Sequence, residues 1–160
     1  MADQKLKLAI IGCGKLGQEY ARLYSEMKDV EIVAMAEQDP DRLKHVGDQY
    51  EVKALYPDAE ALFNDLVPDI AAVVTPTKYY KDSVIAAAQA GVKGVSTDKP
   101  LAATLADADE MVEMCASREV IFSGGALVRA IPEVQEAATW IRDGKFGQFT
   151  DVAVLNLSLI

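Results

Sequence analysis

A doubly wound parallel α/β sheet with helices on both faces is the fold that this 160-residue sequence predicts. Three observations lead there. Short apolar, partly β-branched runs alternate with stretches of helical periodicity along most of the chain. The first run, Leu6 to Ile11, leads directly into Gly12-Cys13-Gly14-Lys15-Leu16-Gly17, a G-x-G-x-x-G loop that opens a helix. A carboxylate, Glu37, stands twenty residues after Gly17, where the second apolar run ends.

The elements follow in order. Leu6 to Ile11 is a buried strand, and Leu16, Tyr20, Leu23, Tyr24 and Met27 recur at helical spacing after it. Val30 to Ala36 is a second strand, which completes a βαβ unit, and Asp39-Pro40 opens a helix that carries His45 on its surface. Val52 to Leu55 reads as a short strand, Ala59 to Asn64 as a short helix, and Ile70 to Val74 as a buried strand ending at Thr75-Pro76. Tyr79 to Ala90 is an alanine-rich helix closed by Gly91, and Lys93 to Ser96 is a further strand. Thr104 caps the next helix with Asp107 at the capping-box position, and Leu105, Ala108, Met111, Val112 and Cys115 form its expected buried stripe. Val120 to Ser123 is another strand. Pro132 then starts a helix with Val134, Ala137, Ala138 and Ile141 on its apolar face, and Gly144 stops it.

In this context each glycine has a mechanical role, respectively a tight turn, close approach of backbone to a pyrophosphate, and close packing of helix on sheet. The N–H groups that open the helix face the phosphates, assisted by the helix dipole. A carboxylate at Glu37 accepts hydrogen bonds from ribose hydroxyls and repels a 2′-phosphate. With Gln38 and Asp39 beside it, NAD is expected over NADP.

Composition narrows the partners. The net charge of −9 argues against nucleic acid and anionic membranes, both of which call for basic patches. The start Met1-Ala2-Asp3-Gln4-Lys5 is polar, without a signal-peptide pattern, and no apolar run is long enough to span a bilayer, so a cytoplasmic location is expected. Cys13 and Cys115 are expected as free thiols, Cys13 as a small packing residue. With a single histidine and no cysteine cluster, the sequence predicts no metal site.

Three segments together resemble one family. The Gly12–Gly17 loop, the Thr75-Pro76-Thr77 turn and the Asp98-Lys99-Pro100 turn stand in the order and approximate spacing of the glucose-fructose oxidoreductase and inositol dehydrogenase family, Gfo/Idh/MocA. Ala90-Gly91 and the run from Arg129 and Pro132 through Gly144 and Gly147 add to the likeness, which covers essentially the whole chain. The resemblance implies a Rossmann-type NAD-binding domain whose Thr75-Pro76-Thr77 and Asp98-Lys99 turns border the cofactor. It further implies that Lys99 lies near the nicotinamide and a substrate hydroxyl, where it assists proton transfer during hydride transfer. An ammonium beside a developing alkoxide stabilises charge, which makes that role physically sound. Departures cluster near the same place: Asp98 replaces the usual Glu, Thr77 stands where Asn is usual, and Tyr80 occupies a position that is His in many members.

Family members are about twice this length, with an α/β substrate domain after the nucleotide-binding domain. The expected organisation is therefore an NAD(P)-binding domain over residues 1–147 and the start of a substrate domain over 148–160. Alternating apolar residues from Phe149 to Ile160 form an edge expected either to stay mobile or to associate with another copy. The function expected is that of an oxidoreductase acting on a hydroxyl of a sugar, polyol or related small molecule. The alternative is a stand-alone NAD-binding module that senses or scaffolds without turnover.

Overall fold

The computed structural model describes residues 5–125 and 130–148, which divide into two compact units, the first ending at Gly125. The expectations that rest on Met1 to Gln4, on Arg129 and on 149–160 lie outside the described residues.

The first unit is a six-stranded parallel sheet in the order β3-β2-β1-β4-β5-β6. Its strands are β1 (Leu6–Ile11), β2 (Val30–Ala36), β3 (Ala54–Tyr56), β4 (Ile70–Val73), β5 (Gly94–Thr97) and β6 (Ile121–Gly124). Helices α1 (Lys15–Ser25), α2 (Pro40–Gln49), α3 (Ala59–Asp65), α4 (Tyr80–Ala90) and α5 (Leu105–Ser117) connect them, and a 3-10 turn at Thr77–Tyr79 precedes α4. Because side chains alternate across a strand, β1 supplies two cores. Leu8 and Ile10 pack with Ala21 of α1 and with Leu43 and Val46 of α2. Ala9 and Ile11 belong to the opposite face, with Leu62 and Phe63 of α3, Val84 and Ala87 of α4, and Met111 and Cys115 of α5. The strands thus read as nearly continuous apolar runs because both faces are covered.

Local chemistry sets the helix ends. Asp39 caps α2 by accepting from the Asp41 and Arg42 N–H groups, with Pro40 at the first helical position. Asp58 caps α3 through the Ala61 N–H, and Thr104 caps α5 through the Asp107 N–H. Gly91, at φ +90°, ends α4 in the left-handed conformation that a glycine adopts without strain.

Three helix faces differ from the sequence expectation. On α1 the buried residues are Gly17 and Ala21, while Leu16, Leu23 and Met27 are about two-fifths exposed. The helix is rotated so that its smallest residue meets the loop beneath it. On α5 Met111 and Cys115 are buried, but Leu105 is 86% exposed and Val112 half-exposed, so the stripe is narrower than periodicity suggests. In the second unit, α6 (Pro132–Arg142) buries none of its residues, and Val134 and Ile141 stay exposed. There the Trp140 ring meets Phe146 edge-on at 6.2 Å and carries the Lys145 ammonium at 5.2 Å. Strand β3 begins two residues later than expected, at Ala54.

At the edge of the sheet away from the loops, Asp69 ties three strands together. Its carboxylate accepts from the Lys7 N–H at 2.8 Å and pairs with the Lys93 ammonium at 2.7 Å, and its carbonyl accepts from the Lys93 N–H at 2.8 Å. The Lys93 contact first, then the Lys7 N–H, holds the Asp69 carboxyl below the usual carboxylate range. A depressed carboxylate contributes stability above its unfolded pKa, and that contribution is lost as pH falls through the folded value. Asp69→Asn is therefore expected to lower the urea midpoint at pH 7. The gap to the parent chain should narrow as pH is taken below 3.8, as comparison of the two denaturation curves will show.

Candidate functional site

In a parallel sheet of this order, the crevice lies beyond the carboxyl ends of β1 and β4, where the direction of winding reverses. The turns singled out from the sequence are at that edge: the glycine loop after β1, Glu37 after β2, Thr75-Pro76-Thr77 after β4 and Asp98-Lys99 after β5.

The glycine loop is built by backbone contact. Gly12 has φ +100°, and a Cβ there would stand 2.9 Å from both the carbon and the oxygen of the Val74 carbonyl. Its N–H donates to the Ala36 carbonyl at 2.8 Å, which ties the loop to β2. A Cβ on Gly17 would overlap the Gly12 carbonyl, so this glycine is what lets α1 sit down on the turn. Gly14 differs: nothing lies within 4 Å of where its Cβ would be. It is the N-cap of α1, and no side chain caps the first-turn N–H groups. This is a cradle that a side chain would fill, as a pyrophosphate-binding loop requires.

A cleft of about 960 Å³ opens in front of it, lined by Gly12, Gly14, Glu37, Gln38, Thr75 and Pro76. It is also lined by Asp58 at the cap of α3 and Phe63 within that helix, and by Tyr79 of the 3-10 turn and Ser83 of α4. Six of the residues expected to bind cofactor therefore share one cavity. Cys13, Lys15, Leu16, Gly17, Thr77, Asp98 and Lys99 do not line it. Cys13 and Gly17 are buried beneath the loop, and Lys99 lies two strands from β1, roughly 10 Å along the sheet edge.

Glu37 is a junction of contacts and largely covered, its side chain 12% exposed. Oε2 accepts from the Cys13 N–H at 2.8 Å, and Oε1 accepts from the Asp39 N–H at 3.1 Å. The Arg42 guanidinium pairs with Oε1 at 3.3 Å. Sequence reasoning missed Arg42, which also lines the cleft. The available signal was its place in the first turn after the Asp39 cap, from which a long side chain reaches back over the strand end.

Around Lys99 the structure is tight below and open above. The Asp98 side chain is 12% exposed and that of Lys99 81%, with Nζ 4.0 Å from the Asp98 carboxylate. A Cβ on Gly125 would overlap the Asp98 and Lys99 backbone, so the turn is pressed onto the end of β6. Tyr80 is 3% exposed and packs in the core, with its phenol toward the Asp98 backbone N–H. Burial first, then the Asp98 charge, pushes the Tyr80 and Tyr20 phenols above their ordinary range. The two departures from the family pattern at positions 80 and 98 are therefore neighbours, and Tyr80 packs under the turn.

Among the described residues no group of three or more His, Cys, Asp and Glu side chains is arranged to hold a metal ion. No helix among them is long and apolar enough to cross a membrane.

Both thiols are buried, and burial followed by the Glu37 charge pushes the Cys13 thiol up to about 12. Burial raises that of Cys115 as well. Thiolate is the reactive form, so neither cysteine should react quickly with an aromatic disulfide reagent at pH 8. In denaturant both should react at once. A thiol whose pKa is raised by folding favours the fold below its ordinary value of 9.0, and for Cys13 this contribution should fade as pH climbs toward about 12.

Residues 6–126 match a family described as oxidoreductases with an NAD-binding Rossmann fold, GFO_IDH_MocA. The chain is 33% identical over 144 residues to D-apiose dehydrogenase of Paraburkholderia graminis, covering 90% of this chain and 38% of that protein. It is 32% identical over 140 residues to 2,7-anhydro-N-acetylneuraminate hydratase of Mediterraneibacter gnavus, covering 88% of this chain and 36% of the relative. An oxidoreductase from Agrobacterium radiobacter, solved in complex with NAD+, L-tartaric acid and magnesium, superposes with a TM-score of 0.80 at 31% identity, over 91% of this chain and 42% of that one. The chain thus spans about two-fifths of the length of the relatives it matches.

Proposed function

The chain belongs to the Gfo/Idh/MocA oxidoreductase family and carries its NAD-binding Rossmann domain, and on that footing we propose that it binds NAD(H) in preference to NADP(H) within a sugar or polyol dehydrogenase. The observation that carries this reading is the cleft itself. A side-chain-free cradle at Gly14 lines the same cavity as Glu37, which supports pyrophosphate at the first and ribose at the second.

The roles follow from position. Gly12 and Gly17 shape the turn, Gly14 and the first-turn N–H groups of α1 hold the pyrophosphate, and Glu37 with Gln38 receives the adenosine ribose. Thr75, Pro76 and Thr77 border the path toward the nicotinamide, and Asp98 sets the turn that presents Lys99. When bound, NAD supplies the hydride acceptor. Lys99 holds or moves the proton of the substrate hydroxyl. Its exposure leaves it free to meet a substrate, and desolvation of its ammonium calls for a covering wall beyond the described residues. We assign residues 1–147 to the cofactor domain and 148–160 to the start of the substrate domain, in line with the share of the relatives that the chain spans.

A second reading is favoured by the hydratase relative. In that reading transient oxidation of a hydroxyl to a carbonyl would acidify the adjacent C–H, water would be lost or gained across that bond, and return of the hydride in the same turnover would leave no NADH to accumulate. Absorbance at the NADH band during turnover of sugars and polyols separates the two readings.

Titration by calorimetry should show tighter binding of NAD(H) than of NADP(H), and equal or reversed affinity would overturn the preference. Gly14→Val should weaken both dinucleotides together, because a β-branched side chain fills the open cradle. The 160-residue chain should bind cofactor yet turn over sugars and polyols slowly, since substrate positioning is worth roughly 7–11 kcal/mol of barrier. In a full-length protein carrying this chain, Lys99→Ala should lower kcat with little change in NAD affinity. Unimpaired turnover by that variant would remove Lys99 from the chemistry.

A further inference from the structure

Two phenols from opposite faces of the sheet converge on the residue that precedes Lys99. Strand alternation puts Val95 in the core with α4 and α5, so Ser96 and Asp98 turn to the other face, where Tyr20 and Tyr24 of α1 pack. Because α1 returns the chain between parallel strands, it runs against their direction. The spacings then match, since four residues of helix rise about 6 Å and two residues of strand about 6.6 Å. The Tyr24 phenol meets Ser96, which sets Tyr20, one turn nearer the crevice, at the level of Asp98. The two rings meet edge-on at 5.9 Å.

From the opposite face comes Tyr80, the first residue of α4, 3% exposed and with its phenol toward the Asp98 N–H. Asp98 is thus approached on its side chain by Tyr20 and on its backbone by Tyr80. The electrostatics agree with that placement. After burial, the Asp98 charge does most to raise the Tyr20 phenol, followed by Tyr24 and Tyr80. For Tyr80 the order is again burial and then the Asp98 charge, with the Asp98 N–H acting against them. The Asp98 carboxylate lies 4.0 Å from Lys99 Nζ, the first largely enclosed and the second in solvent. An ammonium on a long solvated side chain has no fixed place of its own and takes one from its neighbours.

We infer that Tyr20 and Tyr80 are positioning residues, which clamp Asp98 from the two faces of the sheet and through its carboxylate hold the Lys99 ammonium at the rim of the crevice. The inference rests on the proposed role of Lys99 in handling the substrate proton and deepens it. Neither phenol lines the cofactor cleft. A phenol that donates to a carboxylate makes a charge-assisted bond, which fixes its acceptor more firmly than a neutral pair does.

The test has a spectroscopic arm and a kinetic arm. In amide magnetic resonance spectra of the 160-residue chain at pH 7, Tyr20→Phe and Tyr80→Phe should each move the signals of Asp98 and Lys99, although the ring is kept and only a hydroxyl is lost. Reciprocally, Asp98→Asn should move the phenol-carbon signals of Tyr20 and Tyr80 and leave that of Tyr56, which answers to Asp65, in place. Silence of either phenol in these spectra overturns the clamp. In a full-length protein carrying this chain, assayed with NAD+ and a panel of sugars and polyols, Tyr20→Phe should lower kcat about tenfold, the loss expected of one hydrogen bond to a charged group, with KM for NAD+ unchanged. Tyr24→Phe, which removes the same hydroxyl one turn lower, should leave kcat as it is. Equal losses in the two variants mark a general effect on α1 and overturn the inference, as does native kcat in Tyr20→Phe beside an impaired Lys99→Ala. Thermal melts check that the variants fold, and should Tyr80→Phe melt early, Tyr20→Phe carries the test. An unimpaired Lys99→Ala removes the role of Lys99 and the clamp with it, and absence of turnover in the native full-length protein overturns the proposed function together with this inference.

Discussion

The contact on which this molecule most depends is one with no side chain in it. Gly12 turns the chain at positive φ within van der Waals reach of the Val74 carbonyl, and Gly17 lies against the Gly12 carbonyl in turn. Those two close approaches join the end of β1 to the end of β4 and set the depth at which α1 rests on the sheet. The rotation of α1 follows from the same contact. With Gly17 inward, Ala21 is buried and Leu16 and Leu23 point away, whatever their hydrophobicity. The N-terminus of the helix then opens onto the crevice, and Gly14 leaves the approach unobstructed.

A second layer of constraint is electrostatic. Glu37 is bound by the glycine loop on one oxygen and by the start of α2 on the other, so it fixes those two segments relative to each other as well as lining the cleft. Burial first, and then the same carboxylate, raises the Cys13 thiol, and Glu37 also engages Arg42. Loop shape, thiol inertness and the charge presented to the cleft are thus not independent properties, and substitution at Glu37 touches all three.

At the other end of the crevice the pattern inverts. Asp98 and Tyr80 are enclosed, Gly125 allows the turn to press against β6, and the Lys99 side chain stands in solvent. The backbone beneath Lys99 is therefore closely packed while its ammonium is open.

The sequence by itself determined the fold class, five of the strands to within a residue or so at each end, the caps at Asp39 and Thr104, and the glycine loop with its carboxylate partner. These are legible because they depend on local periodicity, on backbone conformations that glycine and proline favour, and on spacing along the chain. Only the tertiary structure decided which helix faces are buried, because burial depends on what the opposing layer presents: Leu105 and Val112 of α5 look like core residues but stay exposed, as do Val134 and Ile141 of α6. It also decided that Arg42 shares a wall with Glu37, and that Tyr80 lies under the Asp98 turn. Those pairings join residues through a helix turn or across adjacent strands, and the charges and volumes that couple them carry no periodic signature in the chain.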